Sequence, residues 1–555
     1  MRQKTLIGVS ILMSFMTLYA LQMKSQTIIP GPSGQPKHDP PVTKPLNKTI
    51  GEAGNDTGFD MAPETTPKVV QAAVSELPSK IPEGSFKPEW ESIAKNYTIP
   101  EWFIGAKFGL FMHWGLYAVP GYKSEWYEKH MYGDPGVAEW HKNHFGPQGQ
   151  FGYKDFIPLF TQDQFNPDQW AELFKKSGAK FIIPTAQHHD NFALWDSQKT
   201  PYNAMKMGPK RDLIGELAQA VRRQGLKFGV SNHGIENFQF INPPADMLNS
   251  MMANQSDLFA PEWKDFYNVA DRSDEACKNF LINWYERNVE LIDKYQPDML
   301  WFDNGIDQRY LDPLKLQVAA YYYNRAEQWG KEVSISSKKA AFAPAGTNLT
   351  TIGSILDFEG HIPQNIRTGV WQVDSKIGST WGYTQHMSIS SAQKIIATLA
   401  DIVSKNGTLL LNISPKADGT IPNDQQKVLL EIGQWLSING EAIYDTHNWI
   451  KFGETSKTTK IRYTVSGNNL YAILLGASSE ESITLSSLAS DSKLKGSIKK
   501  ISVLGNPLTL TFKQTEEGLI LNLPQSTIKE QTYVIKIEGL ELNNPTWTNS
   551  GNPIL

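Results

Sequence analysis

Several short apolar runs in the middle of this chain are followed directly by side chains that can do chemistry. The groups that follow five such runs are His113-Trp114, Gln187-His188-His189-Asp190, Asn232-His233, Asp303-Asn304 and Glu359-Gly360-His361. Imidazole and carboxyl groups bind hydroxyls and exchange protons. If these groups meet at one end of a sheet, they form a site able to bind or cleave a polyhydroxylated ligand.

Asp303 and Glu359 are carboxyl residues that follow two different apolar runs. Two carboxyl groups from separate strands meet the requirement for glycoside hydrolysis. One attacks the anomeric carbon, and the other, held protonated, protonates the leaving oxygen and later deprotonates water. In enzymes that retain the anomeric configuration the two groups lie about 5 Å apart.

The apolar runs alternate with amphipathic helical segments, which is the pattern of repeated βα units. One helix is predicted from its N-cap Asn166 to Gly178, and another from Asp212 to Gly225. No Gly-X-Gly-X-X-Gly motif follows the first strand, which favours a barrel over a doubly wound open sheet. The predicted strands are 107–113, 181–186, 227–231, 299–302, 333–336, 355–358, 368–373 and 408–413. Eight such strands predict a parallel (β/α)8 barrel, an α/β fold with its site at the carboxyl ends of the strands.

A period of two replaces this pattern from about Asn448 onward. Apolar residues alternate in 461–465 and 470–474, on either side of a Gly467-Asn468-Asn469 turn. We therefore predict a C-terminal antiparallel β-sandwich. The expected domain limits are 1–25 for a signal peptide, 26–84 for a flexible linker, 85–445 for the catalytic barrel and 446–545 for the sandwich.

The first residues are typical of an export signal, because Arg2 and Lys4 precede an apolar run over 6–21. An uncleaved membrane anchor is the alternative for this segment. We expect a periplasmic or secreted protein with no other membrane association. A net charge of −4 and the absence of a basic block exclude nucleic acid as an expected partner. The single cysteine, Cys277, excludes an intramolecular disulfide.

Several motifs in one order resemble a known family. They are Ala106-Lys-Phe-Gly-Leu-Phe-Met-His-Trp-Gly115, Glu125-Trp-Tyr127, His188-His-Asp190, Ala193-Leu-Trp-Asp196, Gly208-Pro-Lys-Arg-Asp212, Trp301-Phe-Asp303 and Ser379-Thr-Trp-Gly-Tyr383. The set is similar to the α-L-fucosidase family of glycoside hydrolases, family 29, and extends from about Trp90 to Tyr444. An ordered set of motifs is much more specific than any one of them.

The resemblance implies a barrel followed by a β-sandwich and a retaining mechanism that uses neither metal nor cofactor. It implies that Asp303 is the nucleophile and that the partner is a fucosylated oligosaccharide or polysaccharide. The side chains expected to hold the sugar are His113, Trp114, Glu125, Trp126, His188, His189, His233, Trp301 and Lys338. The sequence carries no signal for an oligomeric state.

The acid/base position departs from the family pattern. Many relatives carry Trp-Glu shortly before the Trp-Gly-Tyr motif, whereas this chain has Trp371-Gln372. A glutamine amide does not titrate near neutral pH, so the proton donor must be another residue. Glu359 is our candidate, with Asp357 and Glu236 as weaker alternatives. A second departure is Lys338, which stands where relatives often have Arg and is expected to supply the cationic sugar contact.

Other interpretations remain open on the sequence alone. The His188-His189 pair is also compatible with a metal site, although adjacent residues on a strand point to opposite faces. The same mechanism could act on α-L-galactose or on the sulfated fucose of algal polysaccharides. A catalytically weak glycan-binding protein is the alternative of another class, suggested by Gln372 and the β-sandwich.

Overall fold

The structure is a computed structural model of the 555-residue chain. It describes residues 66–243, 245–339, 341–344, 353–367, 369–476, 482–492, 494–506, 509–523 and 532–542. The predicted signal peptide and the first part of the predicted linker lie outside these residues. Within them, no helix is both long enough and apolar enough to cross a membrane.

Eight parallel strands close into a barrel in sequence order, with β1 pairing to β8. They are β1 (Phe108–Met112), β2 (Phe181–Gln187), β3 (Lys227–Asn232), β4 (Met299–Phe302), β5 (Ser334–Lys338), β6 (Ile355–Glu359), β7 (Trp371–Lys376) and β8 (Gly407–Ile413). The strands are buried along nearly their whole length, because helices cover the outside and side chains fill the inside. The predicted (β/α)8 barrel is confirmed, with strand limits that differ by at most a few residues.

Helices surround this barrel and precede it. They are α1 (Thr66–Ser75), α2 (Trp90–Asn96), α3 (Glu101–Ala106), α4 (Tyr127–Gly133), α5 (Pro135–Phe145), α6 (Pro167–Lys176), α7 (Leu213–Arg223), α8 (Asn237–Phe240), α9 (Ala245–Ala253), α10 (Lys264–Tyr267), α11 (Asp274–Tyr295), α12 (Asp312–Trp329), α13 (Ala392–Ser404) and α14 (Asn423–Asn439). Their ends follow local chemistry. The Asn166 side chain accepts a hydrogen bond from the Gln169 N–H at the start of α6, and Asp212 does the same for Gly215 at the start of α7.

The predicted flexible linker is wrong between residues 66 and 84. Helix α1 buries Val69, Val70 and Ala73 and packs against α11 and α12. Beyond it, the Ser79 N–H donates to Glu286 Oε1 at 2.9 Å. This segment is therefore part of the barrel domain. Its few apolar residues gain a core only from helices that follow about 200 positions later in the chain.

The C-terminal region forms two antiparallel sheets, which confirms the predicted β-sandwich. The strands are β9 (His447–Ser456), β10 (Thr459–Ser466), β11 (Asn469–Leu475), β12 (Ser482–Leu485), β13 (Lys495–Val503), β14 (Phe512–Thr515), β15 (Gly518–Asn522) and β16 (Tyr533–Glu541). One sheet has the order β13-β16-β11-β10-β9 and the other β12-β15-β14. Strand β11 shows how the domains join, since Leu470 and Leu474 face the sandwich core while Tyr471 and Ile473 pack on the barrel's hydrophobic core.

Candidate active site

Strands β4 to β7 each present two side chains, two residues apart, to the barrel interior. We call the deeper set the lower tier and the set nearer the carboxyl ends of the strands the upper tier. The lower tier is Trp301, Ser336, Asp357 and Gln372, and the upper tier is Asp303, Lys338, Glu359 and Asp374. Side chains two residues apart on a strand share a face. Contacts between non-neighbouring strands, such as Lys338 of β5 with Asp374 of β7, place both tiers inside the barrel.

The lower tier is a hydrogen-bonded floor centred on Asp357. Its carboxylate accepts from Trp301 Nε1 at 2.7 Å, from the backbone N–H of Asp374 at 2.9 Å and from the amide of Gln372. The same amide group of Gln372 lies 3.2 Å from Ser336 Oγ. Burial raises the pKa of Asp357, although these donors oppose that effect. Both Asp357 and Gln372 are thus committed to the floor.

The upper tier is organised by one ammonium group. Lys338 Nζ lies 3.0 Å from Asp303 Oδ1, 2.9 Å from Glu359 Oε2 and 3.3 Å from Asp374 Oδ2. Burial lowers the pKa of Lys338, but the neighbouring carboxyl groups, Asp303 first, outweigh burial and hold that pKa well above its usual value. Lys338 is therefore a permanent cation at the centre of three acids.

Asp303 is held as a carboxylate. His233 Nδ1 lies 2.9 Å from its Oδ2, and the Asn304 backbone N–H donates to its Oδ1 at 2.8 Å. Burial alone raises the pKa of Asp303, but Lys338 and His233 reverse that effect and hold it well below its usual range. Its side chain keeps 13% of its surface exposed, which is enough for contact with a ligand.

Glu359 faces Asp303 across Lys338 and is the more accessible of the two, with 48% of its side chain exposed. Because one ammonium touches Asp303 Oδ1 at 3.0 Å and Glu359 Oε2 at 2.9 Å, these oxygens are no farther apart than the two distances combined, about 6 Å. Retaining glycosidases hold their carboxyl groups about 5–5.5 Å apart, and inverting ones 6.5–9.5 Å apart. The upper limit on the separation of these two oxygens favours the retaining arrangement.

A pocket opens over the upper tier. Its lining is His113, Glu125, Trp126, His188, Asp303, Asn304, Lys338, Glu359, Asp374 and Trp381. Several buried polar atoms of this lining have no hydrogen-bond partner among the described residues: His188 Nδ1, Asn304 Oδ1 and both carboxyl oxygens of Asp374. Buried polar atoms are seldom left without partners. A ligand with several hydroxyl groups would supply them.

Three imidazoles around the pocket are neutral, those of His113, His188 and His189. The His113 Nδ1–H donates to Asn412 Oδ1 at 2.8 Å, which leaves its Nε2 for a ligand. Burial, together with neighbouring imidazoles, lowers the pKa of His113 and of His188 well below the usual value and lowers that of His189 to about 3. A neutral imidazole can donate to one sugar hydroxyl and accept from another.

The same histidines are the candidates for holding a metal. Ligand atoms of His113, His188 and His233 lie within 4.8 Å of one another, and so do those of His189, His233 and Asp303. His233 belongs to both groups, yet its Nε2 lies 3.0 Å from Ser231 Oγ and its Nδ1 2.9 Å from Asp303. A metal ion would have to displace one of these bonds. The residues therefore fit hydroxyl binding better than metal binding, and the absence of a metal stays a prediction.

Two predicted acid/base alternatives are placed away from the pocket. Asp357 lies in the floor, and Glu236 lies behind His189, with its Oε2 3.3 Å from His189 Nδ1. Burial and the nearby Asp303 raise the pKa of Glu236 to about 8. Neither carboxyl group lines the pocket. Glu359 is the predicted candidate that does.

The expectation that Trp114 binds substrate is wrong. Its side chain is fully buried and its ring packs on Phe165 and Trp170, outside the pocket. Successive side chains of a strand point to opposite faces, so Trp114, which follows His113, points into the layer between strands and helices. Trp301, His189 and His233 also lie outside the lining, beneath or behind Asp303.

Three lining residues were absent from the predicted set: Asn304, Asp374 and Trp381. Asn304 directly follows Asp303, and Trp381 belongs to the Trp-Gly-Tyr motif. Asp374 lies beyond the predicted end of β7, two residues after Gln372. Its period-two spacing from Gln372 was the signal that could have identified it.

Family models and known proteins match this chain over both domains. The model described as alpha-L-fucosidase matches residues 73–441, and the model of the alpha-L-fucosidase C-terminal domain matches residues 454–538. The chain is 31% identical to the tissue alpha-L-fucosidase of Mus musculus over 79% of this chain and 91% of that protein. It is 32% identical to the human plasma enzyme over 80% and 90% of the two chains.

Solved structures give the same result. The crystal structure of Thermotoga maritima alpha-fucosidase in complex with fucose superposes with a TM-score of 0.66 at 32% identity, covering 81% of this chain and all of that one. The resemblance inferred from the sequence motifs is thus confirmed over both domains. The chain belongs to the α-L-fucosidase family of glycosidases, glycoside hydrolase family 29.

Proposed function

We propose that this protein releases terminal α-L-fucose from glycans by a retaining double displacement, with Asp303 as the nucleophile and Glu359 as the acid/base. The proposal is carried by a single observation: Asp303 and Glu359 contact the same ammonium of Lys338, which limits the separation of their nearest oxygens to about 6 Å. The separation is compatible with one group bonding to the anomeric carbon while the other serves the glycosidic oxygen.

Asp303 suits the nucleophile because it is ionised and already oriented. His233 and the Asn304 N–H hold its carboxylate, and its lowered pKa keeps it charged. In the first step an oxygen of Asp303 bonds to the anomeric carbon while the bond to the leaving oxygen breaks. In the second step water attacks the same carbon and frees Asp303.

Glu359 suits the acid/base because it is the more exposed acid on the far side of Lys338. An exposed position at the pocket mouth lets the carboxyl group reach both a large leaving group and the water that replaces it. Glu359 gives its proton to the leaving oxygen in the first step and takes one from water in the second.

The pocket suits one terminal sugar. The floor closes it from below, and neutral His113 and His188 and the buried Glu125 line its sides. The Glu125 carboxylate accepts from the Gly382 N–H at 3.2 Å, which fixes it against the wall. The Thermotoga maritima relative is described in complex with fucose, which supports fucose as the sugar held here.

The test compares Glu359→Gln with Glu236→Gln on two α-L-fucosides. For Glu359→Gln we expect a loss of about 10²–10⁴-fold on a substrate with a poor leaving group. A substrate with an activated phenol should be nearly unaffected in its first step, and azide should restore part of the turnover. Glu236→Gln is the matched control, because its carboxyl group lies behind His189 and should show no dependence on the leaving group.

The nucleophile is tested by trapping with 2-fluoro-fucosyl fluoride and locating the adduct by peptide mass spectrometry. We expect the adduct on the peptide that contains Asp303. An adduct on another residue, or a Glu359→Gln enzyme with unchanged kinetics on both substrates, would refute the assignment.

A further inference from the structure

A second cavity lies beside the sugar pocket, between the loops that follow β7 and β8. It has a volume of about 650 Å³, against about 80 Å³ for the sugar pocket. Both loops leave the carboxyl ends of barrel strands, so this cavity is on the same face of the barrel as the upper tier. We call it the side groove. Its polar lining includes Tyr383, Thr384, Gln385, Lys416, Asp418 and Gln426.

One short segment forms a wall of both cavities. Trp381 lines the sugar pocket and Tyr383, two residues later, lines the side groove, so their Cα atoms are at most about 7 Å apart. Between them, the Gly382 N–H donates to Glu125 Oε2 of the sugar pocket at 3.2 Å. The side groove is therefore within reach of a glycan whose terminal sugar occupies the pocket.

The end of β8 holds this shared wall in place. Asn412 Nδ2 and Ser414 Oγ both donate to the carbonyl oxygen of Trp381, at 2.8 and 2.7 Å. Asn412 Oδ1 also accepts from the ring of His113, a residue of the sugar pocket, at 2.8 Å. From Ser414 the chain continues into the loop that carries Lys416. One hydrogen-bonded network thus positions the sugar pocket and the side groove together.

The side groove offers unused hydrogen-bonding groups to a ligand. Lys416 Nζ lies 5.5 Å from the centroid of the Tyr383 ring, and Lys416 forms no ion pair among the described residues. The hydroxyl of half-buried Tyr383 has no hydrogen-bond partner among them either. The exposed side-chain amide of Gln385 lies in the same lining. Amides, hydroxyls and amphipathic rings are the groups that bind the hydroxyls and faces of sugars.

The charges of the side groove disfavour an anionic ligand. Among the described residues of its lining, Lys416 is the only cation, whereas Asp418 and Asp424 are acids. Asp418 Oδ1 accepts from the backbone N–H of Thr420 at 2.9 Å and from its hydroxyl at 2.7 Å, which fixes this carboxylate in the lining. A sulfate or carboxylate on the ligand would meet two like charges for one opposite charge. The chemistry of the lining therefore favours a neutral ligand.

We propose that the side groove binds the neutral part of the glycan to which the fucose is attached, and that Tyr383 and Lys416 are specificity-determining residues for this leaving group. The inference rests on the proposed function. Because the floor lies beneath the sugar pocket, the rest of the glycan leaves through the mouth, where Glu359 is half-exposed. The side groove adjoins this pocket, and its volume is in the range of about 300–1,000 Å³ that is typical of ligand sites.

The test compares an aryl α-L-fucoside, whose leaving group is a single ring, with a neutral fucosylated oligosaccharide. For the double variant Tyr383→Phe/Lys416→Met we expect kcat/KM on the oligosaccharide to fall by about ten-fold or more, since each lost hydrogen bond contributes about three- to ten-fold. On the aryl fucoside kcat/KM should stay within about two-fold, because Asp303 and Glu359 are untouched. Tyr383→Phe keeps the ring beside Gly121, and Lys416→Met keeps most of the length of the side chain.

Lys427→Met is the matched control. Lys427 lies on α14 outside the lining, is exposed, and has its Nζ 3.9 Å from Glu431 Oε1. This variant should leave kcat/KM on both substrates unchanged. Binding is measured separately by calorimetry in an Asp303→Gly background, which prevents turnover. There the double variant should weaken the binding of the oligosaccharide and leave the binding of free fucose unchanged.

The outcomes separate the side groove from the proposed function. A wild-type enzyme that cleaves both substrates, with a double variant that keeps its oligosaccharide activity or loses activity on both substrates equally, overturns the groove and leaves the proposed function intact. A wild-type enzyme that releases fucose from neither substrate overturns the proposed function. Should the double variant unfold, Lys416→Met alone carries the same expectation with a loss of about three- to ten-fold.

A sulfated form of the same oligosaccharide tests the class of ligand. With the sulfate on the leaving sugar, we expect slower cleavage by the wild-type enzyme, because the sulfate approaches Asp418 and Asp424. Faster cleavage of the sulfated form, lost in Lys416→Met, would overturn the assignment of a neutral ligand.

Discussion

Lys338 and Asp303 form a close contact between opposite charges at the base of the pocket, with Nζ 3.0 Å from Oδ1. Only 7% of the Lys338 side chain and 13% of the Asp303 side chain are exposed, so water screens this pair only weakly. The contact explains how a carboxyl group in a buried site remains ionised. Of the groups that lower the pKa of Asp303 against the effect of burial, Lys338 has the largest influence, ahead of His233.

Lys338→Met should therefore move the acid limb of the pH profile. Lys338 lowers the pKa of Asp303, so its removal raises that pKa, and Asp303 becomes protonated at a higher pH. We expect the acid limb of the kcat/KM profile, measured between pH 3 and 8, to move to higher pH by about 1–3 units. Lys338→Arg keeps the charge and serves as the control. An acid limb at the wild-type pH in Lys338→Met would show that His233 alone keeps Asp303 ionised.

Gln372→Glu, which restores the acid found in many relatives, should not increase activity. Gln372 lies in the lower tier and donates to Asp357, so a carboxyl group at this position would meet another acid under the pocket floor. Loss of the donor and the contact between two acids should cost about 1–3 kcal/mol of unfolding free energy.

The measurement for this variant combines urea unfolding with kcat/KM on a poor-leaving-group fucoside. Gln372→Ala is the control, because it removes the same hydrogen bond without adding an acid. A rise in activity that also rescues Glu359→Gln would mean that position 372 reaches the glycosidic oxygen, contrary to its place in the floor.

The barrel could be predicted because its strands are continuous apolar runs, each ended by polar residues. The polar ends also include Asp303, Glu359 and three others of the ten residues that line the pocket. The predicted limits of the strands were less exact, and β7 shows the consequence. Its last residues are Asp374, Ser375 and Lys376, which have no apolar character, so the sequence gives no reason to extend the strand past Val373.

The division into two tiers could not be predicted, because it depends on which residue of each strand is level with the pocket. Gln372 is prominent in the sequence as a departure from the family motif, yet it lies in the floor, and Asp374 lines the pocket. The error at Trp114 has the same origin, since it follows from which face a side chain takes at a strand end. Helix α1 was missed because its core is supplied by distant helices.

Removal of metal should leave activity unchanged. Within the described part of the chain, His233 is common to both groups of residues that could hold an ion, and its two ring nitrogens already contact Ser231 and Asp303. The ammonium of Lys338 beside Asp303 also disfavours a second cation there. We expect kcat/KM to remain within about two-fold after dialysis against EDTA, relative to a mock-dialysed sample. A loss of activity that one added metal ion reverses would contradict the inference that the histidines bind hydroxyl groups and not a metal.

Gly305→Ala should damage both stability and catalysis. Gly305 has a φ of +82°, and an added Cβ would lie 2.7 Å from Cγ of Glu236. The positive φ alone costs a non-glycine residue about 1–2 kcal/mol. The clash adds to this cost and displaces either Glu236 or the turn that follows Asp303. Because that turn supplies the Asn304 N–H to the Asp303 carboxylate, we expect kcat/KM to fall by about ten-fold or more.

Gly330→Ala separates the cost of the positive φ from the cost of the clash with Glu236. Gly330 ends α12 with a φ of +64°, and an added Cβ there meets nothing within 4 Å. The Gly330→Ala variant should lose only the unfolding free energy that the positive φ costs, and it should keep full activity. Urea unfolding and kcat/KM measured on both variants give the comparison. The opposite outcome is a Gly305→Ala variant that keeps full activity and loses no more stability than Gly330→Ala. It would show that Glu236 moves aside without disturbing Asp303. The packing of Glu236 on this turn would then not position the nucleophile.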